Sequence, residues 1–503
     1  MNRLLHILPL LLLGAGWTAD AGAQTFERIE RRNFWNAGRN VAGLRTDSVS
    51  ISGAELYGSA EHGSFHDFSD ASESWHAGAT ARTITHLKRI SMAGQFTFDH
   101  AAGRNKSGSM FIEPGFYPVD VLEFTPGTKE LQTYAFTGGI AADVASRWRI
   151  GAGIAFSSQN YAKRKDLRHT NYRLDMTVTP GVMYHAGDGA VGLTYVFRKT
   201  GEEIKAEEIG ETAAAYYAFL DKGLMYGAYE VWTGNGVHLN EAGIDGFPVR
   251  EISHGIAMQG AWRGFYADAE YLHGNGKIGE KQTVWFEFPS HSVTVRAGYR
   301  FGHGETVQSV RLTVAWMRQT NDENVIGETV SNGVTTTTIY GSNRIFERDI
   351  LRLNPEYEWY GPQGEFRGGA EVTAVRRLSS QMYPYLYGQS AFCSRVYMSG
   401  MVRIGRFDVR AGAAFFTGSM TETFRTVDGD VAAGDPPYHL TEYYDLQNEY
   451  MSAPRVTAEF SVRYNTHWGL YAEAGAGWTH GFDLRYIGGA DRWCETLKIG
   501  YTF

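Results

Sequence analysis

The chain stops on an aromatic residue at the end of an alternating run. In CETLKIGYTF, Leu497, Ile499, Tyr501 and Phe503 alternate with Thr496, Lys498, Gly500 and Thr502. A period of two puts the apolar side chains on one face of a strand and the polar ones on the other. A strand apolar on one face that ends on a carboxyl-terminal phenylalanine fits the last strand of a transmembrane β-barrel. Leu497, Ile499, Tyr501 and Phe503 are then the expected sorting signal read by the barrel-assembly machinery.

The same alternation recurs in segments of about ten residues, the length a tilted strand needs to cross a bilayer. AVGLTYVFR (190–198) presents Val191, Leu193, Tyr195 and Phe197 on one face, and HSVTVRAGYRF (291–301) presents Val293, Val295, Ala297, Tyr299 and Phe301. VTAEFSVRY (456–464) does so with Val456, Ala458, Phe460, Val462 and Tyr464, while Glu459 and Arg463 lie opposite. Aromatics gather at the ends of these runs, as membrane girdles require.

Read back from Phe503, the pattern predicts an all-β, antiparallel transmembrane barrel of about eighteen strands, with sixteen or twenty also open. Every second connection is short: LKR (87–89), HAGDG (185–189), GHGETV (302–307), GPQG (361–364), RIGR (403–406) and NTH (465–467). Long connections near 100–131, 201–250, 320–343 and 419–449 lie between them. That parity is what short periplasmic turns and long outer loops produce. The first strand, near 49–58, breaks its alternation at Gly53 and Ala54. The stretch 202–223 reads as helix by composition, and 223–232 as a strand that keeps parity only inside an outer loop.

Residues 1–23 read as a signal peptide, with an early Arg3, an apolar run from Leu4 to Gly16 and small residues at Ala21 and Ala23. Residues 24–48 form a periplasmic N-terminal segment, either a tether or a small inward-tucked element, and 49–503 form the barrel. Such a segment is too short for the plug domain of an energy-coupled receptor. With 60 glycines, 14% aromatic residues and a net charge of −8, the composition suits an outer-membrane barrel of a Gram-negative bacterium and offers no basic face for nucleic acid.

The face opposite the apolar one is densely charged, with Arg149, Arg173, Arg296, Arg300, Arg311, Arg352, Arg395, Arg410, Arg455 and Arg463 among the cations. Asp268, Glu270, Glu371, Glu459 and Glu473 are among the opposing carboxylates. A charge facing lipid costs about 2–4 kcal/mol near the midplane, so these residues are expected to line the lumen. Expected partners include Asp268 or Glu270 with Arg296, and Glu459 with Arg410. Such charges either stiffen the wall as a salt-bridge lattice or order water and solutes in a pore. The 201–250 connection is the expected constriction.

No nucleophile, base and carboxylate fall in a catalytic pattern, and EAGAGW (473–478) lies in a strand rather than opening a helix, so it is no phosphate cradle. Neither an enzyme nor a cofactor is expected. Cys393 and Cys494 fall four strands apart, beyond disulfide reach. GSAEHGSFHDFSDASESWHAG (58–78) concentrates histidines and carboxylates. His62, His66 and Asp67 are candidate metal ligands in a loop, while His76 belongs to the inner face of the next strand with Gly78 and Thr80. A glycine-rich loop lacks the rigid frame of strong metal motifs, which favours a plain hairpin tip on the outer surface.

The elements NVAGL (40–44), EHGSFHDF (61–68) and AGQFTFDH (93–100) resemble the N-terminal region of a Bacteroidota outer-membrane β-barrel family of unknown function. The resemblance implies fold and location and carries no catalytic residues. Fatty-acid-channel barrels share the Ala-Gly-Leu element after Asn-Pro, whereas this chain has Asn40-Val41. The expected role is a channel or accessory transport component for polar solutes. The alternatives are a non-conducting accessory or surface-binding barrel beside an energy-coupled receptor or a surface lipoprotein and, behind it, an outer-membrane enzyme. Membrane lipid is the surrounding partner in each case.

Overall fold

The computed structural model describes Phe26, Ile29 and residues 34–207, 218–223, 229–231, 244–280, 283–303, 306–331, 334–379, 386–425 and 440–503. The expected signal peptide lies outside the described residues.

The strands are β1 (Ile51–Gly63), β2 (Glu73–His86), β3 (Ile90–Ser109), β4 (Asp120–Asp143), β5 (Trp148–Lys163), β6 (Arg168–Ala186) and β7 (Gly189–Glu207). The short β8 (Ala218–Asp221) and β9 (Tyr229–Val231) follow, then β10 (Ile244–Trp262), β11 (Phe265–Gly279), β12 (Val284–His303), β13 (Thr306–Ser331) and β14 (Val334–Gly361). The last are β15 (Gly364–Ser379), β16 (Leu386–Ile404), β17 (Phe407–Arg425), β18 (Arg455–Asn465), β19 (Leu470–Gly481) and β20 (Asp491–Thr502). Each wall strand pairs antiparallel with its sequence neighbours, β7 pairs with β10, and β1 pairs with β20. The result is a closed barrel of 18 strands, which settles the choice among sixteen, eighteen and twenty. Closure satisfies every ladder without an edge, the condition for a sheet to span lipid.

Residues of one parity face outward and stay exposed, including Leu497 at 67%, Met258 at 63% and Val191 at 60%. So broad an exposed apolar surface needs an apolar solvent. Paired aromatics such as Phe265 with Tyr299 and Phe407 with Tyr464 stand beside the short turns, and Tyr271 and Trp478 stand on the outer side. The chain is therefore built as an outer-membrane barrel with lipid around its belt. Among the described residues no helix is long and apolar enough to cross a membrane.

The structure departs from the expectations along several connections, and β3 and β4 already take up much of the expected 100–131 loop. Residues 201–207 continue β7, and 218–221 form β8, so neither is helical; 208–217 lie outside the described residues. In β7, Glu202, Ile204 and Ala206 are buried while Lys205 and Glu207 are exposed. The inner face here meets protein, so packing selects strand over the local helix propensity. β9 pairs with β8 inside the outer connection, which keeps parity as required. The expected loop 320–343 is mostly the outer end of the β13–β14 hairpin, which extends far past the roughly ten residues that cross a bilayer. Finally, β18 begins at Arg455, because Leu440–Ser452 is a helix.

Candidate functional site

The barrel interior is occupied from both ends. At the short-turn end, Phe34–Ala37 and Val41–Thr46 are 3₁₀ turns. The second touches β3, β4, β5 and β6, while Gln259 on β10, Tyr266 on β11 and Arg311 on β13 meet the first turn or the link between the two. Those strands span about 38 Å of wall at ~4.8 Å per strand, so a segment this short can reach them all only from the concave side. This is the inward-tucked form of the N-terminal segment.

Asn40 is its anchor. Its side chain accepts from the Ala42 N–H (3.0 Å) and donates to the Val182 and Leu193 carbonyls (2.9 and 3.4 Å). Two glycines of the wall make the docking possible: a Cβ on Gly192 would lie 2.4 Å from Asn40 Nδ2, and one on Gly151 would lie 2.4 Å from the Ala42 nitrogen. Arg39 pairs with Glu270 (2.9 Å), and Arg45 with Asp143 (3.0 Å). Phe26 and Ile29 pack with Ile51 and Ile84 at the β1–β2 side of the same mouth.

At the outer end, Met110–Val119 leaves the β3–β4 hairpin and crosses the lumen. The Ile112 N–H donates to Glu202 (3.0 Å), Arg173 holds Glu113 (3.1 Å), and Phe116 stacks beneath the Arg173 guanidinium at 4.4 Å. On β14, nearly opposite β4 in the ring, Arg348 donates to the Gly115 and Phe116 carbonyls at 2.5 and 3.1 Å. Met110, Phe111, Tyr117, Val119 and Leu220 of β8 form one buried apolar core with Ile204, Phe247, Ile278, Phe286 and Phe346 of the wall. Each such side chain contributes roughly 1.5–3 kcal/mol by leaving water. The inward-folding element is therefore mainly the first long connection; from the expected 201–250 constriction, β8 joins it by pairing with β4. Beside this plug, helix Leu440–Ser452 packs Tyr443 on Leu122, Phe219 and Phe68, and its Tyr450 ring meets Phe65 at 5.4 Å.

The charged residues of the wall mostly find partners. Asp268 pairs with Arg296 as expected, and Arg149 pairs with Asp143 (3.0 Å). Arg311 meets Glu358 (3.1 Å), Arg395 meets Glu371 (3.3 Å) and Arg463 meets Glu473 (2.7 Å). Arg300 lies over the Phe34 ring, and Arg455 over Phe416 while donating to the Tyr450 carbonyl. The expected Glu459–Arg410 pair does not form. Arg410 is opposite Ser461 and Glu459 is opposite Gly412, so Arg410 reaches instead across Met401 to Glu365 at 2.6 Å.

Sequence reasoning missed several buried charged residues. Glu123 is buried between Lys129 (3.3 Å) and Lys163 (2.6 Å), and Arg348 is 5% exposed. The signal was present in MFIEPGFYPV (110–119), too apolar for a solvated outer loop.

The histidine-rich stretch does not assemble a metal site. His62 belongs to β1, not to the loop, and shares the exposed outer face with Leu56. His66 Nδ1 contacts the Asp67 carbonyl (2.7 Å), and among the described residues no three candidate ligands gather. The tip also folds inward: Phe65 is 1% exposed, and burial beside Asp70 pushes the Asp67 carboxyl up to about 7. His76 faces inward toward Asp99 (3.4 Å). Both cysteines are free thiols.

No curated protein matches the chain. Among solved structures, the ferric preacinetobactin receptor BauA of Acinetobacter baumannii is 7% identical with a TM-score of 0.40, covering 91% of this chain and 80% of that one. The ferric-catecholate import receptor Fiu of E. coli K12 gives 8% and 0.40, covering 90% and 81%. The outer membrane protein opdK of Pseudomonas aeruginosa gives 8% and 0.32, covering 90% and 99%. Identities this low transfer no ligand. A family model, described as a family of unknown function (DUF6850), matches residues 41–503, from the first plug residues to the terminal strand, and the chain belongs to that family.

Proposed function

We propose that the protein is an occluded outer-membrane channel, or accessory transport barrel, for polar solutes. One relationship carries this reading: the tip of the outer plug is held on the far wall by Arg348 hydrogen bonds to two backbone carbonyls, an attachment that can be exchanged. The charge-paired wall residues named above are then the lumen lining along which a polar solute moves once the plug gives way.

Planar-bilayer conductance tests the reading. Wild type is expected to stay mostly closed, and replacement of 111–118 by a glycine-serine linker, with 34–46 also deleted, is expected to give discrete steps. Absence of steps from a correctly folded variant would refute the channel. The second reading, a non-conducting accessory barrel beside an energy-coupled receptor or surface lipoprotein, is favoured by the closure at both ends. Stoichiometric co-purification of such a partner would support it.

A further inference from the structure

The outer half of the β14–β15 wall carries three arginines whose charge no carboxylate neutralises by contact. Arg348 is buried, and its only polar contacts among the described residues are the Gly115 and Phe116 carbonyls and Gln319 (2.7 Å). Arg377 stands directly opposite it on β15, and Arg352 lies four residues along β14 on the same face. Neither Arg352 nor Arg377 has an ion pair among the described residues, and the Nε atoms of Arg348 and Arg377 are buried without an acceptor. Glu251 is the carboxylate whose field reaches Arg348, while its side chain accepts from Ser290 at 2.8 Å. Elsewhere on this wall Arg395 has Glu371 and Arg367 has Glu356, so the contrast is local.

Like charges gathered on a partly dry surface repel and lose hydration, and a multidentate oxyanion relieves both costs. Guanidinium groups present paired N–H donors that match carboxylate and phosphate oxygens. We propose that Arg348, Arg352 and Arg377 bind an anionic solute through its carboxylate or phosphate groups, and that the solute displaces the plug tip. The oxygens of such a solute take the place of the Gly115 and Phe116 carbonyls on Arg348. Arg173 keeps the other side of the tip through Glu113 and Phe116, so one arm of the plug is released before the other. The identity of the ligand as a transported solute rests on the channel reading above; the anion site itself does not.

The test is calorimetric titration of the full-length protein, folded in detergent, with citrate and with inorganic phosphate. Saturable binding is expected for at least one of them, at least tenfold weaker in the Arg352→Gln, Arg377→Gln double variant and unchanged in Arg263→Gln, in the short β10–β11 turn where Arg263 pairs with Asp188 at 3.0 Å. No saturable binding of either probe, or equal binding by the double variant, would overturn the proposal. Should the double variant fail to fold, Arg352→Gln alone, whose side chain is exposed, is expected to weaken binding at least threefold, and an unaltered affinity overturns it. Amide exchange of 110–119 is expected to quicken on citrate binding, and unchanged exchange refutes the displacement. Arginine-dependent binding in a plug-replaced variant that never conducts leaves the anion site standing and removes the channel; conduction without binding does the reverse.

Discussion

The backbone N–H of Asn40 donates to the side-chain oxygen of Gln259 at 2.6 Å, joining residues 219 positions apart. The same Gln259 amide donates to the Trp35 carbonyl and to the Tyr266 hydroxyl. One inward side chain of β10 thus fastens both turns of the N-terminal segment into the periplasmic mouth.

Docking of that segment should fail when the wall loses its hollows. Gly192→Val places carbon where the Asn40 amide now sits and is expected to expel residues 34–46 while leaving the barrel folded. Asn40→Ala removes the cap and two further hydrogen bonds and is expected to weaken docking by about 1–3 kcal/mol. Hydrogen exchange across 34–46 in detergent checks both, and unchanged protection in Gly192→Val would contradict the placement.

Acid should tighten the packing of the first outer loop. The Asp67 carboxyl, raised to about 7 mainly by burial and next by Asp70, is opposed by hydrogen bonds from the Phe68 N–H and Gln447 and by the Lys106 charge. A carboxyl that binds its proton more tightly when docked favours docking below the ordinary carboxylate range and loses that contribution as pH rises through about 7. Protection of residues 64–72 is expected to fall between pH 5 and pH 8 once intrinsic exchange is corrected for. Asp67→Asn is expected to flatten that dependence.

The outer plug should answer to its aromatic core. Phe111 is 2% exposed among wall side chains, and Phe111→Ala is expected to cost about 3–5 kcal/mol of plug docking. Frequent conductance steps with normal heat-modifiable migration on gels would register the loosened plug. Glu123→Gln, which leaves Lys129 and Lys163 buried without their carboxylate, is expected to lower the unfolding temperature of the whole barrel.

Closure of the ring should depend on the last residue. The Phe503 N–H donates to the Ser52 carbonyl, and its own carbonyl accepts from the Ser52 N–H, both at 2.8 Å. Phe503 deletion is expected to reduce the folded, heat-modifiable fraction in cells through poorer recognition by the assembly machinery. A refolding yield in detergent that stays within about twofold of wild type would separate recognition from stability.

The strand count, the parity of turns and the closing strand were legible because lipid imposes one rule on every outward residue, and that rule repeats every second position. Gly53 and Ala54, which blur the first strand, sit where β1 meets β20, and a Cβ on Gly53 would lie 3.0 Å from the Tyr501 carbonyl. Asp268 with Arg296 was legible for the same reason, since the register follows from adjacent strands. Arg410 was not: two carboxylates lay within its reach, and the choice of Glu365 depends on side-chain paths across Met401.

By itself the sequence determined a closed antiparallel wall and the alternation of its short turns with long connections, both of which follow from residue-by-residue alternation against a uniform solvent. Tertiary structure alone decided what fills that wall. NVAGL, MFIEPGFYPV and the helix near 440–452 have no period that points inward; they enter the lumen because distant glycines leave room, distant arginines offer donors and distant apolar side chains complete a core. Such complementarity is a property of the assembled surface, and no local stretch of chain contains it.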